Sequence, residues 1–320
     1  MAFQDIITIE SPQFYIDFAF KAAKKRTDLM RSKKLTGDKL NIIRQIYLIK
    51  IETVESKLVG KLDQILQSFP RLDDLDDFYK ELVKVTMDYP EVKKSLGGVN
   101  WAITKIKSFS RGYKAKIKQC QHYTKTVEYQ KQYFGRISSV IKQIKDELHL
   151  LEDARKVLKH FPTIKTSLPT VAIVGFPNIG KTTLLYKLTG SKPEIDSYAF
   201  TTKSINTAYL IKDKKKIQFM DTPGTLNRFN KMNNIEKQAY LALEFLTHHI
   251  IYVFDLTEPF PLKEQIALYK SLLSHKIPIT IYLSKVDLLK KDKVDEFSKK
   301  FSVTTDIKEL KSVILKKLKL

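Results

Sequence analysis

A single cysteine, Cys120, among 320 residues has no partner within the chain, so no disulfide framework supports the fold and no thiolate cluster holds zinc. The six histidines include one adjacent pair, His248-His249, without accompanying acids or thiols, and they read as core or surface residues rather than metal ligands. No run of about 18 apolar residues occurs, which excludes an obvious membrane-spanning helix. The opening MAFQDIITIESPQF also lacks the basic-then-apolar layout of a signal peptide, so a cytosolic chain is expected. Acids are the other shortage. Against 57 Lys and Arg there are 35 Asp and Glu, giving a net charge of +22 and a pI near 9.7. A charge of that size attracts polyanions, nucleic acid first and an anionic membrane surface second. With 43% hydrophobic and 29% charged residues the chain is globular, and its length exceeds one average domain, which suggests two.

The two halves are patterned differently. Residues from about 10 to 160 read as successive helices. Ser11-Pro12 is a helix start, with a serine cap and proline at the first helical position. Ile43, Ile46, Tyr47 and Ile51 repeat at helical spacing, and Leu75, Phe78, Leu82 and Val83 form the apolar face of a helix after Pro70. Asp88-Tyr89-Pro90 and Gly97-Gly98 are expected to break later helices. From Trp101 onward, Ile106, Phe109, Tyr113, Ile117 and Cys120 make a buried stripe, while Lys107, Arg111, Lys114, Lys118 and Lys125 keep the same rhythm on a neighbouring face. Between residues 101 and 145 there are eleven Lys or Arg and one acid, Glu128. Like charges three and four apart repel, so this ridge is read as a surface for a phosphate backbone rather than a merely solvated face. Asp73, Asp74, Asp76 and Asp77 suit a helix start and receive no function. HFPTIKTSLPT, with Pro162 and Pro169, is an extended linker that divides the chain into an all-α helical domain, residues 1–165, and an α/β domain, residues 166–320. The second half alternates apolar strands and helices, the pattern of a mostly parallel, doubly wound sheet.

Thr170–Val174 is an apolar strand that runs into Gly175-Phe-Pro-Asn178-Ile-Gly180-Lys181-Thr182-Thr183 and then an apolar helix. Strand, glycine loop and helix in that order form a phosphate-binding loop, in which backbone N–H groups and a helix N-terminus face the anion. Lys181 reaches the β- and γ-phosphates and the Thr182 hydroxyl ligates Mg²⁺. A second strand, Ile217–Met220, ends in Asp221-Thr-Pro-Gly224, where Asp221 holds the metal through water and the Gly224 amide senses the γ-phosphate. Between them, Thr201 and Thr202 compete for the switch role that completes Mg²⁺ coordination, with Thr202 favoured. Ser284-Lys285-Val286-Asp287 follows an apolar strand, Ile277–Leu283. A carboxylate at Asp287 accepts from both guanine N1–H and the exocyclic amine, and leaving it unpaired costs about 1–3 kcal/mol, which selects GTP over ATP. Ser302-Val303, taken to follow a short strand, are weaker candidates for the loop that meets guanine O6.

The phosphate-loop sequence with Asp-Thr-Pro-Gly resembles the Obg-type branch of the translation-factor-related GTPases. The helical half, Gly135-Arg136, Asp255-Leu-Thr-Glu and Glu264-Gln265 narrow the resemblance to the nucleolar GTP-binding protein family. Eukaryotic members of that family act in large-ribosomal-subunit assembly and archaeal members are shorter; a chain that stops just after the GTPase domain is similar to the archaeal type. The resemblance implies a GTPase that holds the large subunit or its rRNA precursor through its helical domain, without a membrane role, and is monomeric when free. It also implies a K⁺ ion held beside the phosphates by Asn178, for which a purely loop-stabilising role is the alternative. Thr225 stands where other GTPases carry a water-orienting glutamine, and Ser284 replaces the usual asparagine of the guanine motif, so slow turnover and reduced nucleotide affinity are expected. Two rival readings follow: an RNA-binding scaffold with GTP as a conformational ligand and negligible hydrolysis, and a membrane-surface GTPase.

Overall fold

The computed structural model describes residues 3–32, 38–161, 164–190, 194–196, 205–212, 215–222, 234–257 and 260–318. By internal contacts the chain forms two compact units, Met1–Arg71 with Met87–Lys159, and Leu72–Thr86 with His160–Leu320.

The first unit is all-helical: α1 (Pro12–Arg31), α2 (Lys39–Ser68), α4 (Tyr89–Gln119), α5 (Tyr123–Gln143) and α6 (Lys145–Lys159). Helix α1 starts where the sequence indicates, the Phe14 N–H donating to Ser11 Oγ with Pro12 in the first turn. Ile51, Leu58, Leu62 and Ile65 of α2 are fully buried, as are Ile106 and Ile117 of α4 and Ile137 and Ile141 of α5. Burying each contributes about 1.5–3 kcal/mol of apolar transfer free energy, the main term holding the bundle together. The Tyr133 hydroxyl is buried among them, 2.9 Å from Ser110 Oγ.

One expectation fails here. Asp88 does cap a helix, accepting from the Glu91 N–H at 3.2 Å, but Gly97-Gly98 does not break it, and α4 runs unbroken to Gln119. The physical reason at Gly98 is proximity rather than flexibility: an added Cβ would lie 3.0 Å from Glu147 Cγ on α6. The near neighbour is the Glu147 side chain, and at Gly97 a Cβ would meet nothing within 4 Å.

The second unit contains α3 (Asp77–Thr86) and a seven-stranded sheet of order β2-β3-β4-β1-β5-β6-β7. Its strands are β1 (Thr170–Val174), β2 (Glu194–Asp196), β3 (Ile205–Lys212), β4 (Lys215–Asp221), β5 (His249–Phe254), β6 (Ile279–Leu283) and β7 (Val303–Thr304). The five strands from β4 to β7 are mutually parallel, while β2–β3 and β3–β4 pair antiparallel. Every residue of β1 and β5 is buried, as a central parallel sheet requires. The helices of the unit are α7 (Lys181–Thr189), α8 (Asn234–Leu246), α9 (Leu262–Leu272), α10 (Lys291–Lys300) and α11 (Ile307–Lys317).

Helix α3 belongs to this unit although it lies within the helical half of the sequence. It packs on α8. The Tyr79 hydroxyl accepts the Ile164 N–H at 3.2 Å and donates to its carbonyl at 3.1 Å, and Thr166 Oγ1 donates to Asp76 Oδ2 at 2.6 Å. One member of the acidic patch is thereby engaged at the start of the α/β region.

Candidate functional site

From β1 the chain moves to one side of the sheet to build β2, β3 and β4, then to the other for β5, β6 and β7. The crevice at the carboxyl ends, where that order reverses, is where open α/β sheets bind ligands. The sequence motifs reach that edge from separate strands. The phosphate loop follows β1, Asp221 ends β4, Asp255 follows β5, and Ser284-Lys285 follow β6.

The loop conformation depends on residues that tolerate positive φ, namely Gly175 (153°), Asn178 (60°) and Gly180 (95°). At Gly175 an added Cβ would lie 2.8 Å from the Val253 carbonyl oxygen, so no larger residue fits. Gly180 caps α7, and Lys181 opens it. The Lys181 side chain is buried and curls back to donate to the Phe176 carbonyl at 2.8 Å, around the loop. Thr182 Oγ1 donates to Asp221 Oδ2 at 2.6 Å, and Thr183 is exposed on the same first turn.

Asp221 is only 6% exposed, and its Oδ1 is buried with no hydrogen-bond partner among the described residues. Burial raises its pKa above the usual carboxylate range, despite the Thr182 hydroxyl, the Lys181 charge and the Asn206 amide, which all favour the anion. A buried carboxylate with an unsatisfied oxygen beside a threonine hydroxyl has the hard oxygen donors that Mg²⁺ takes, so the residues fit that ion. Asn206, 3.4 Å from Asp221 Oδ2, carried no motif to reveal it.

At the guanine motif, Lys285 has φ 51° and donates through Nζ to the Asn178 carbonyl at 3.2 Å. Ser284 Oγ donates to the Phe254 carbonyl at 3.0 Å, so its short side chain ties to β5. Asp287 is exposed.

Two placements depart from the sequence reading. The strand before the guanine motif begins at Ile279 rather than Ile277. Ser302 and Val303 do not follow a strand: Val303 opens β7 level with Ile281, so these two residues sit toward the amino end. The residues that follow β7 are instead Thr305 and Asp306, after Thr304 pairs level with Tyr282, and their signal was only that they follow a two-residue strand. Thr201, Thr202 and Gly224 lie outside the described residues.

In the helical unit, Lys107, Arg111 and Lys118 are exposed along α4 and Lys125 is exposed on α5. Lys114 differs, being only 33% exposed with Nζ 2.8 Å from Glu55 Oε2 on α2. Other cations on these helices lie over rings: Lys105 over Trp101, Lys116 over Tyr113 and Tyr129, and Arg136 over Phe109. Among the described residues no cluster of His, Cys, Asp and Glu suits a metal, and no helix is long and apolar enough to cross a membrane.

Residues 3–165 match the family model described as the NOG1 N-terminal helical domain, and residues 170–285 match one described as a 50S ribosome-binding GTPase. An uncharacterized protein of Methanocaldococcus jannaschii is 36% identical over 91% of this chain and 83% of its own length. Nucleolar GTP-binding protein 1 of Drosophila melanogaster is 30% identical over 97% of this chain but 48% of its own length, so the chain spans about half of that relative. Among solved structures, the G domain of the T. maritima FeoB iron transporter covers 47% of this chain at 24% identity with a TM-score of 0.40. The relatives' names correct the expectation of a cytosolic chain, because those from Drosophila melanogaster and Saccharomyces cerevisiae are called nucleolar. The length of apolar runs bears on membrane insertion and carries no signal for which aqueous compartment a chain enters.

Proposed function

Given that the chain belongs to the nucleolar GTP-binding protein family of P-loop GTPases, we propose that it binds GTP with Mg²⁺, hydrolyses it slowly, and holds rRNA of the large ribosomal subunit or its precursor through its helical unit. The observation that carries the nucleotide part is the meeting of Lys181, Thr182, Asp221 and Lys285 at one sheet edge, with Asp221 Oδ1 buried and unpaired. Thr182 and Asp221 would hold the metal, which when bound supplies positive charge to the β- and γ-phosphates. Lys181 neutralises the same phosphates, and the amides of the glycine loop fix them in line for attack by water at the γ-phosphorus. Thr225 has no side-chain amide to orient that water, so turnover is set by the bound particle and by a K⁺ ion beside Asn178.

The RNA part draws on the exposed Lys107, Arg111, Lys118 and Lys125, and on the match to a ribosome-binding GTPase model and to nucleolar GTP-binding relatives. GTP turnover measured in K⁺ and in Na⁺ buffer, with and without large ribosomal subunits, tests the whole reading. Turnover is expected to rise with subunits and with K⁺ and to vanish in Lys181→Ala. GTP binding without turnover in every condition would leave the scaffold reading in its place.

A further inference from the structure

Asp255 and Gln265 enter no step above, yet they are among the most buried polar groups of the sheet edge, at 0% and 1% exposure. Asp255 follows β5 directly. Its Oδ1 accepts from the Thr257 N–H at 2.8 Å and the Thr257 hydroxyl at 2.6 Å, and its Oδ2 forms a 2.7 Å ion pair with Lys285 Nζ. Its backbone is clamped as well. The Asp255 N–H donates to Gln265 Oε1 at 3.0 Å, and Gln265 Nε2 donates to the Asp255 carbonyl at 2.8 Å and the Phe260 carbonyl at 3.0 Å. Gln265 is fixed in turn by the Tyr252 hydroxyl, which donates to its carbonyl at 2.6 Å.

The ammonium group of Lys285 therefore lies between a buried carboxylate and the carbonyl of Asn178 in the phosphate loop. A lysine stem is otherwise flexible, and a point charge held on two sides fixes where the stem can lie. Ser284 makes this arrangement consequential: its hydroxyl bonds to β5, and the side chain of the guanine motif that reaches the phosphate loop is Lys285, bonded to the Asn178 carbonyl.

We propose that Asp255, clamped by Gln265 and Thr257, is the positioning residue for Lys285, and that this ion pair makes base recognition and phosphate-loop geometry a single unit. The proposal rests on the guanine-nucleotide reading of the site. Removing the carboxylate charge releases Lys285 from one side and loosens the phosphate loop, without touching Asp287. Nucleotide is then lost faster whatever the base, while discrimination among bases is kept.

The test is release of a fluorescent GDP from the full chain, measured by stopped flow, with inosine diphosphate as the second ligand. Asp255→Asn is expected to speed release of both about tenfold and leave their ratio unchanged, whereas Asp287→Asn changes the ratio. In a Lys285→Met background, Asp255→Asn is expected to add less than twofold. A tenfold addition in that background, or no effect of Asp255→Asn alone, overturns the proposal. Should Asp255→Asn not fold, Thr257→Val, which removes one bond to Oδ1, is expected to speed release two- to threefold, and an unchanged rate would count equally against it. Failure of the wild-type chain to bind GDP would refute the nucleotide reading itself; wild-type binding with an unaltered Asp255 variant refutes only this inference.

Discussion

The phosphate loop is legible residue by residue because it is contiguous: each glycine, the lysine and the threonine act through their immediate neighbours in the chain. Asp255 and Gln265 are not, since the partner of Asp255 is Lys285 and nothing local connects them. His249 is a similar case. The sequence leaves it open between core and surface, and its environment arises only from the sheet, where it is 1% exposed with Nε2 2.8 Å from Thr280 Oγ1 on β6. Its Nδ1 is buried without a partner among the described residues. Burial first, and the Lys317 charge second, lower its pKa from 6.5 to about 4. The native state thus keeps the ring neutral while the unfolded chain takes up a proton near pH 6.5. Stability is lost as pH falls from about 6.5 toward 4 and the loss levels off below that, with an upper size on the order of 3 kcal/mol. Urea midpoints compared at pH 7.5 and 4.5 should show a smaller drop for His249→Gln than for wild type; equal drops would mean that His249 does not carry the dependence.

Among the elements, helices were easiest to read where periodicity was long, and their ends were read well where a cap carried the signal, as at Ser11 and Asp88. Gly97-Gly98 misled because glycines inside a helix, one of them here against the Glu147 side chain and the other in open space, look in sequence like a helix end. The two-residue β7 misled in the other direction, being too short for any alternation to mark its ends. The basic face of α4 was legible as a stripe but not as separate roles within it. Lys107, Arg111 and Lys118 are exposed, whereas Lys114 pairs with Glu55. Replacing the three exposed residues with Ala should flatten the slope of log affinity for rRNA against log salt by about 2–3, with little change in melting temperature. Lys114→Ala should do the reverse, lowering stability by about 0.5–1 kcal/mol, the size of a partly exposed ion pair, while changing the slope by less than 1. Titrations at several salt concentrations beside thermal melts would separate the two, and a Lys114 effect seen only in the slope would return it to the RNA surface.

On the scale of the molecule, the linker around Pro162 and Pro169 marks where the sequence pattern changes, and both family models respect it. The contact division does not, because the apolar residues Phe78, Leu82 and Val83 sit on a helix that groups with the α/β residues. Composition could not reveal this, since a helix carries the same amphipathic pattern whichever partner it covers. A fragment beginning at residue 166 removes α3 from α8 and Asp76 from Thr166. It should melt at least 5 °C below the α/β transition of the full chain and aggregate more readily. A fragment as stable as the full chain would show that α3 contributes nothing to that unit. The chain passes between its two units at 71–72, 86–87 and 159–160. For a recombining genome, that threading has a cost a simple linker would not. A crossover at the linker would bring in a foreign nucleotide-binding half without the helix that covers its α8, and leave the resident α3 facing a surface it was never selected against, so such a hybrid should be less stable than either parent.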